Sequence, residues 1–232
     1  MSSLSLNLIA IVVALFTFTS LLGPLVHLSP VVPAIAAFGC LGLATLDTWS
    51  WQGQGSTLLL DWLASFSEQH HARVLRHEAG HFLVAHELGI PVTGYALNAW
   101  AALQQGHAGN GGVRFDIQEI ETELQQGSLS AQLLDRYCTI WMAGIAAETL
   151  VYGTVEGGGD DRQKLRGVLT QLGLSADAGL QKERWSILRA KTLLQENHLA
   201  YETLVAAMEQ KFPVAECVAA IEPVESTQSL SR

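Results

Sequence analysis

The sequence predicts a mainly α-helical protein with a small β element, preceded by a pair of apolar N-terminal helices. Three observations predict this fold class. Residues 1–46 contain no Asp, Glu, Lys or Arg, apolar residues recur at helical spacing through most of the remaining chain, and one alternating run follows Gly112. The chain has 232 residues, of which 49% are hydrophobic, so the part after the apolar stretch can bury one core. A net charge of −9 argues against nucleic-acid binding as the main function.

The apolar N-terminus predicts a membrane anchor over residues 1–48. Leu4 to Leu22 is long enough to cross a hydrocarbon core of about 30 Å. A break from Gly23 to Pro30 precedes a shorter apolar segment, Val31 to Leu46, so we expect two transmembrane helices. Two alternatives stay open: a cleaved signal peptide, although its usual basic region is missing, and a single span followed by a buried or interfacial segment. Residues 49–65, with three tryptophans, predict an interfacial linker or a cap on the following core.

The run His77-Glu78-Ala79-Gly80-His81 is typical of a zinc site on a helix. Apolar and histidine residues recur at helical spacing from Val74 to Leu88, and Gly89 ends the pattern. On a helix the two histidines project from one face and can hold the same Zn²⁺, while the glutamate can accept a proton from water. The small residues between them leave room beside the metal. A chance match on an ordinary amphipathic helix is the alternative, so a third ligand is needed.

A second candidate cluster lies further along the chain. Leu133 to Tyr152 has a continuous helical pattern, and its alanines and glycines suit close packing against the zinc helix. Three glycines at 157–159 predict a flexible turn, after which Asp160 and Asp161 begin another helix. A carboxylate at a helix N-terminus is kept ionised by backbone N–H groups and the helix dipole, as a metal ligand must be. Helix capping is the alternative role for this pair.

At these segments the chain resembles the peptidase domain of the FtsH-type membrane-bound zinc metalloproteases, over residues 66–220. That family has H-E-x-G-H, then a helix reading A-G-R-A-A-E-E-L, then a T-G-A-S-N-D-L-type turn whose aspartate completes the zinc site. Ile145 and Thr149 depart from the family pattern, so local polar contacts are expected to differ. The segments that carry the resemblance are, in the same order, His77-Glu78-Ala79-Gly80-His81, Ala143-Gly144-Ile145-Ala146-Ala147-Glu148-Thr149-Leu150 and Gly157-Gly158-Gly159-Asp160-Asp161-Arg162.

The resemblance implies a role for each polar residue of these segments. Glu148 is a rival third ligand, but we favour a hydrogen bond from it to a ligand histidine. Asp160 stands where the family has asparagine, so we expect it to neighbour the ligands without binding. The implied Zn²⁺ ligands are His77, His81 and Asp161, and the implied catalytic base is Glu78.

By the same resemblance we expect a membrane-anchored zinc endopeptidase, facing the cytoplasm or a stroma-equivalent compartment, that hydrolyses unfolded or membrane-associated proteins. No G-x-x-x-x-G-K-[ST] pattern occurs, so the family's AAA+ ATPase module is missing from this chain. Expected partners are therefore a separate ATPase, full-length relatives or further copies of the chain. One alternative is a catalytically silent protein that regulates such relatives. Another is a zinc-stabilised structural module, which would need a fourth protein ligand.

Two further features complete the expected domain. Gly111, Gly112 and Val113 begin an alternating run that predicts either an edge strand binding an extended peptide substrate or a surface hairpin. His107, in the preceding loop, is expected to be solvated. Three cysteines far apart in the sequence imply no disulfide framework and fit a reducing compartment.

The C-terminal part predicts core-forming helices. One runs from Glu183 to Glu196 and contains Trp185 and Leu188, and another runs from Leu199 to Lys211. Residues 221–232 are rich in Ser, Thr and Gln, which predicts a disordered tail.

Overall fold

A computed structural model of the chain describes residues 3–29, 31–50, 68–106, 111–126 and 129–229. These residues divide into two compact units. The first contains the described parts of 1–67 and 98–110, and the second contains those of 68–97 and 111–232. All three segments of the predicted metal site belong to the second unit.

The described residues form eleven α-helices and one two-stranded sheet, which confirms the predicted mainly helical class with a small β element. In chain order the elements are α1 (Ser3–Leu22), α2 (Val31–Ser50), α3 (Glu68–Glu87), β1 (Val92–Ala96), α4 (Ala99–Gln104), β2 (Gly112–Phe115), α5 (Gln118–Gln125), α6 (Ala131–Trp141), α7 (Ala143–Tyr152), α8 (Gly159–Gln171), α9 (Ala176–Glu196), α10 (His198–Glu209) and α11 (Val214–Ser229).

The first unit consists of α1, α2 and α4. A short 3₁₀ turn, Gly23–Val26, follows α1, and the chain then enters α2, so the predicted break between two apolar helices is confirmed. Large apolar side chains on both helices are exposed, among them Leu21 at 71% and Phe38 at 80%. Within the described part of the chain, no helix combines the length and the apolar character needed to span a membrane. Most of the predicted 49–65 linker, and His107, lie outside the described residues.

The second unit is assembled around α3, which carries the H-E-x-x-H run. From Ala79 to Ala85 this helix is buried on every side, because α7, α10, α6 and the sheet pack around it. The sequence pattern predicted only one apolar face. Gly80 allows the closest of these contacts, since a Cβ there would lie 2.7 Å from Cβ of Ala147 and 2.9 Å from the carbonyl oxygen of Ala143. This glycine therefore makes room for α7 rather than for a metal.

The helical pattern predicted from Leu133 to Tyr152 is confirmed, but the structure divides it at Met142 into two helices, α6 and α7. Met142 has φ −90° and ψ 0°, a turn conformation that redirects the chain. The Ser130 side chain caps the start of α6 by accepting a hydrogen bond from the Leu133 N–H. Both helices pack against α3 and α9, and α7 makes the more extensive contact with α3.

The sheet is a single antiparallel pair, with Tyr95 of β1 opposite Val113 of β2. It contacts α3 and, through β1, α11. The Tyr95 hydroxyl donates a 2.6 Å hydrogen bond to the Phe212 carbonyl oxygen, which links β1 to the chain just before α11. The sheet is therefore attached to α3 and to the start of the C-terminal helix.

The C-terminal helices differ from the sequence prediction in two respects. Trp185 and Leu188 are exposed at 64% and 63%, so they are not core residues, whereas Leu194 on the same helix is buried. The predicted disordered tail is also replaced by α11, which continues to Ser229. Its buried Cys217 and Ile221 are four residues apart, which gives this helix an apolar face against α10. All three cysteines are free, as the sequence predicted.

Candidate metal centre

His77 presents one ring nitrogen to the site and uses the other for orientation. Its Nδ1 lies 2.8 Å from Oε1 of Glu148. A carboxylate only accepts, so Nδ1 carries the proton, and in the neutral ring Nε2 holds a free electron pair. The ring is buried between α3 and α7, and Gly144 is essential there, since a Cβ at 144 would collide with the imidazole.

His81 is oriented in the same way by a backbone group. Its Nδ1 lies 2.7 Å from the carbonyl oxygen of Ile140, close to the end of α6, so Nδ1 is the donor and Nε2 is again the free acceptor. The two Nε2 atoms are 3.1 Å apart, as expected for residues i and i+4 on one helix face. Both imidazoles therefore direct electron pairs toward one point.

Asp161 completes the cluster from the first turn of α8. Its Oδ2 lies 3.1 Å from Nε2 of His77 and 3.4 Å from Nε2 of His81. Among the described residues, these three side chains form the one group of His, Cys, Asp and Glu whose ligand atoms all lie within 4.8 Å of one another. The predicted convergence of two imidazoles and a distant carboxylate is thus found.

The spacing of these three atoms fits a small divalent cation. In a tetrahedral zinc site with metal–ligand bonds of about 2.0–2.1 Å, neighbouring ligand atoms are about 3.3–3.4 Å apart. The observed separations of 3.1, 3.1 and 3.4 Å are close to this value. Three acceptor atoms so near each other repel unless a proton or a cation lies between them. In the described residues no fourth protein ligand joins the group, so a tetrahedral ion would keep one open position.

The shifted pKa values of His77 and Asp161 also indicate that the cluster favours a positive charge. Burial lowers the pKa of His77, but hydrogen bonds with Asp161 and Glu148 outweigh it and raise that pKa to about 10. For Asp161, burial acts to raise the pKa, yet the attraction of His81 and the hydrogen bond with His77 hold it well below the usual range. Without a metal, a proton on His77 supplies the positive charge.

The Glu148 carboxylate is buried behind His77 and is surrounded by hydrogen-bond donors. Its second oxygen, Oε2, accepts hydrogen bonds from Arg73 Nη1 at 2.9 Å and from the N–H of Glu156 at 2.8 Å, and Oε1 also accepts from the N–H of Gly157. Burial raises its pKa, but the hydrogen bonds from His77, the Glu156 N–H and Arg73 outweigh burial and hold the pKa at about 2. Glu148 is therefore an ionised orienting group on the Nδ1 side of the ring, away from the cluster.

The glycine turn before Asp161 packs against the Glu148 carboxylate and the neighbouring part of α7. This close packing corrects the expectation of a flexible turn. A Cβ at Gly157 would lie 2.6 Å from Oε1 of Glu148, and one at Gly158 would collide with the Ile145 side chain. Gly158 also has φ +76°, a conformation that favours glycine. The turn is thus shaped by close contact with α7, and Ile145 occupies the position where the resembled family has arginine.

Glu78 is next to the cluster and contacts the sheet. Its Oε2 accepts a 3.0 Å hydrogen bond from the N–H of Val113, at the start of β2. Its charge also raises the pKa of His77. The strand predicted from Gly111, Gly112 and Val113 therefore borders the candidate centre. Asp160 is exposed and outside the cluster.

Some residues of the site were missed in the sequence. Arg73 lies one helical turn before His77, and its guanidinium also packs over the Tyr152 ring at 4.2 Å. Glu183 is buried at 6% exposure and accepts hydrogen bonds from Arg162 and Arg166 of α8, which holds the helix that carries Asp161. The spacing of Arg73, four residues before His77, was a visible signal for the first contact. No local sequence pattern indicates the second contact.

Comparison of the chain with models of known protein families and with curated proteins finds no match. The geometry alone defines the class of site: two buried histidines, a half-buried aspartate and an adjacent glutamate.

Proposed function

We propose that this protein is a zinc-dependent endopeptidase acting on unfolded or membrane-associated polypeptides. One observation carries the proposal: two imidazole nitrogens and a carboxylate oxygen converge at tetrahedral spacing, and Glu78 follows the first histidine directly. His77, His81 and Asp161 would hold the ion. Zinc, when bound, supplies Lewis acidity that polarises a carbonyl group and lowers the pKa of water.

The residues of the chain have separate tasks in this proposal. Glu78 takes a proton from the attacking water and passes it to the leaving amine as the peptide bond breaks. Its hydrogen bond from Val113 fixes the carboxylate near β2. Within the described residues β2 pairs only with β1. We propose that an extended peptide pairs with the other edge of β2 at Gly112 and Val113, where the Val113 N–H would exchange its bond to Glu78 for one to the peptide.

The lack of a nucleotide-binding pattern limits the proposed substrates. No G-x-x-x-x-G-K-[ST] pattern occurs in these 232 residues, so we propose action on flexible or already unfolded polypeptides, or together with a separate ATPase. An unfolded casein-like protein should be cut without ATP, and a stably folded protein of similar size should not.

The test compares wild type with Glu78→Gln in the full chain. Purified wild-type protein should contain one zinc per chain and cleave the unfolded substrate. Glu78→Gln should keep the zinc and lose cleavage, and the exposed-carboxylate control Glu209→Gln should retain both. Wild type that binds zinc but does not cleave would support a silent regulatory protein, and protein that binds no zinc would contradict the whole proposal.

We also propose that α1 and α2 attach the protein to a membrane, with the metal centre on the cytoplasmic or stroma-equivalent side. The support is their row of exposed large apolar side chains and the absence of Lys, Arg, Asp and Glu before Asp47. Fractionation tests this attachment. Resistance to alkaline carbonate would indicate integral insertion, release by carbonate would indicate an interfacial position, and recovery without lipid would contradict attachment.

A further inference from the structure

The α9 helix has two faces of different character. Its inner face contains buried residues spaced three and four apart, namely Glu183, Ser186, Ala190 and Leu194, and packs against α6 and α7. On the outer face, Trp185 and Leu188 are exposed at 64% and 63%. Because they are three residues apart, Trp185 and Leu188 form one contiguous exposed apolar patch on the helix surface.

Basic residues flank this apolar pair on both sides. Arg184 and Lys191 are four before and three after Leu188, so they lie beside it on the helix surface. Lys182 and Arg189 flank Trp185 in the same way, at three before and four after. We call Lys182, Arg184, Trp185, Leu188, Arg189 and Lys191 the basic–aromatic face.

The charge of this face contrasts with that of the whole protein. Four of the thirteen basic residues fall within it, although the net charge of the chain is −9. From Arg184 to Gln195 the helix contains no carboxylate. Glu183 does not neutralise the face, because its side chain lies on the buried side of α9 and forms ion pairs with Arg162 and Arg166. Lys182 is paired with Asp135, and Arg189 lines a cavity that also contains Glu87 and Asp135. The positive charge of the face is therefore concentrated at Arg184 and Lys191.

We propose that the basic–aromatic face docks on an anionic lipid surface. Tryptophan prefers the boundary between headgroups and acyl chains, and leucine beside it can enter the same layer. Long Arg and Lys side chains reach outward from an apolar centre toward phosphate groups. The apolar residues lie in the middle of the face and the cations on its flanks, an arrangement that suits a bilayer surface, whereas an acidic protein partner would need a pocket for the indole. The docking requires neither zinc nor peptidase activity.

Position-specific labelling of the full chain tests this contact independently of α1 and α2. Cys40 is replaced by Ser, the buried Cys138 and Cys217 are kept, and a nitroxide is attached at Leu188→Cys or at the exposed control Lys164→Cys. The protein is reconstituted into phosphatidylcholine vesicles with or without phosphatidylglycerol. Collision rates with oxygen and with a water-soluble nickel complex report the depth of each label.

With phosphatidylglycerol, the label at 188 should lose contact with the nickel complex and gain contact with oxygen, while the label at 164 should not change. Adding Arg184→Gln and Lys191→Gln should weaken docking about 25-fold, at about fivefold for each cation. Peptidase activity on a soluble peptide should stay at the wild-type level. Equal nickel access at 188 and 164 would overturn the proposal. Protection of the label at 188 that does not depend on phosphatidylglycerol but increases with protein concentration would also overturn it, because that result indicates contact with a second copy of the chain. Protection that requires an added acidic protein would overturn it as well.

Discussion

Glu148 and His77 are joined by a buried 2.8 Å hydrogen bond between Oε1 and Nδ1, although 71 positions separate them in the sequence. The bond fixes which nitrogen carries the proton and aims Nε2 at Asp161 and His81. Arg73 and two backbone N–H groups saturate the remaining acceptor sites of the carboxylate. The orientation of the first ligand therefore depends on a residue that does not touch the metal position.

Replacing Glu148 by Gln should weaken zinc binding about 10–100-fold, the usual cost of losing an orienting partner of a ligand histidine. The amide keeps one acceptor oxygen, but its NH₂ group cannot accept from Arg73 or from the Glu156 N–H. Competition with a chromophoric chelator measures the affinity. Glu209→Gln removes an exposed carboxylate from α10 and should bind zinc as wild type does. Equal affinities for the two variants would contradict this role of Glu148.

The stability gained from zinc should increase with pH between about 6.5 and 10. In the metal-free protein the pKa of His77 is raised to about 10 from an ordinary value of 6.5. This group therefore stabilises the metal-free fold fully below pH 6.5, and the contribution is lost as pH rises toward 10. Zinc needs the deprotonated ring, so its binding is favoured over the same range.

Calorimetry can measure this effect as the difference in Tm with and without zinc at each pH. Binding near pH 7.5 should also release a proton, which titrations in buffers of different ionisation enthalpy detect. If the difference in Tm between zinc-bound and zinc-free protein decreases as pH rises, zinc does not replace a proton on His77, and the prediction is contradicted.

The sequence was informative where spacing within one helix determines geometry. His77 and His81 converge because residues four apart share a face, and the stop at Gly89 agrees with its φ of +68°. The approach of Asp161 was predicted only through the order of motifs in a resembled family. Local physics left it equally suited to capping α8.

Other features depend on contacts that no local pattern contains. The turn at Met142 has no local sequence signal, because Met142 itself favours a helix and neither proline nor a capping side chain marks the position. Trp185 and Leu188 have the same helical spacing as core residues, but Ser186, Ala190 and Leu194 occupy the inner face instead. On the α9 inner face, Glu183, Ser186 and Ala190 are thus buried, while Trp185 and Leu188 remain exposed.

Replacing Glu183 by Gln should loosen α8 and lower zinc affinity together. Arg162 Nε lies 3.0 Å from Oε1 of Glu183, and Arg166 Nη2 lies 2.9 Å from Oε2, so one buried carboxylate of α9 holds two arginines of α8. Both arginines keep access to water, so the loss of stability should be modest, about 1.5 kcal/mol. Asp161 precedes Arg162 directly, and its position should become less defined.

Urea unfolding and chelator competition on the same preparation separate the two effects of Glu183→Gln. The companion variant Arg166→Gln leaves Arg162 paired, so it should lower stability while changing zinc affinity less. Zinc affinity that is unchanged in Glu183→Gln, despite lower stability, would show that the position of Asp161 does not depend on this contact.

Two glycine-to-alanine substitutions should have opposite effects on stability, because Gly80 and Gly167 are both helical but have different surroundings. At Gly80 an added Cβ would lie 2.7 Å from Cβ of Ala147 and 2.9 Å from the Ala143 carbonyl oxygen, so α3 and α7 would have to separate. Such overpacking costs about 1–3 kcal/mol.

At Gly167, within α8, nothing lies within 4 Å of an added Cβ, and alanine should stabilise the helix by about 0.5–1 kcal/mol. Denaturation followed by circular dichroism gives both values, and Gly80→Ala should also weaken zinc binding because α7 carries Glu148. Equal stability for the two variants would mean that α3 and α7 do not approach as closely as Gly80 and Ala147 indicate.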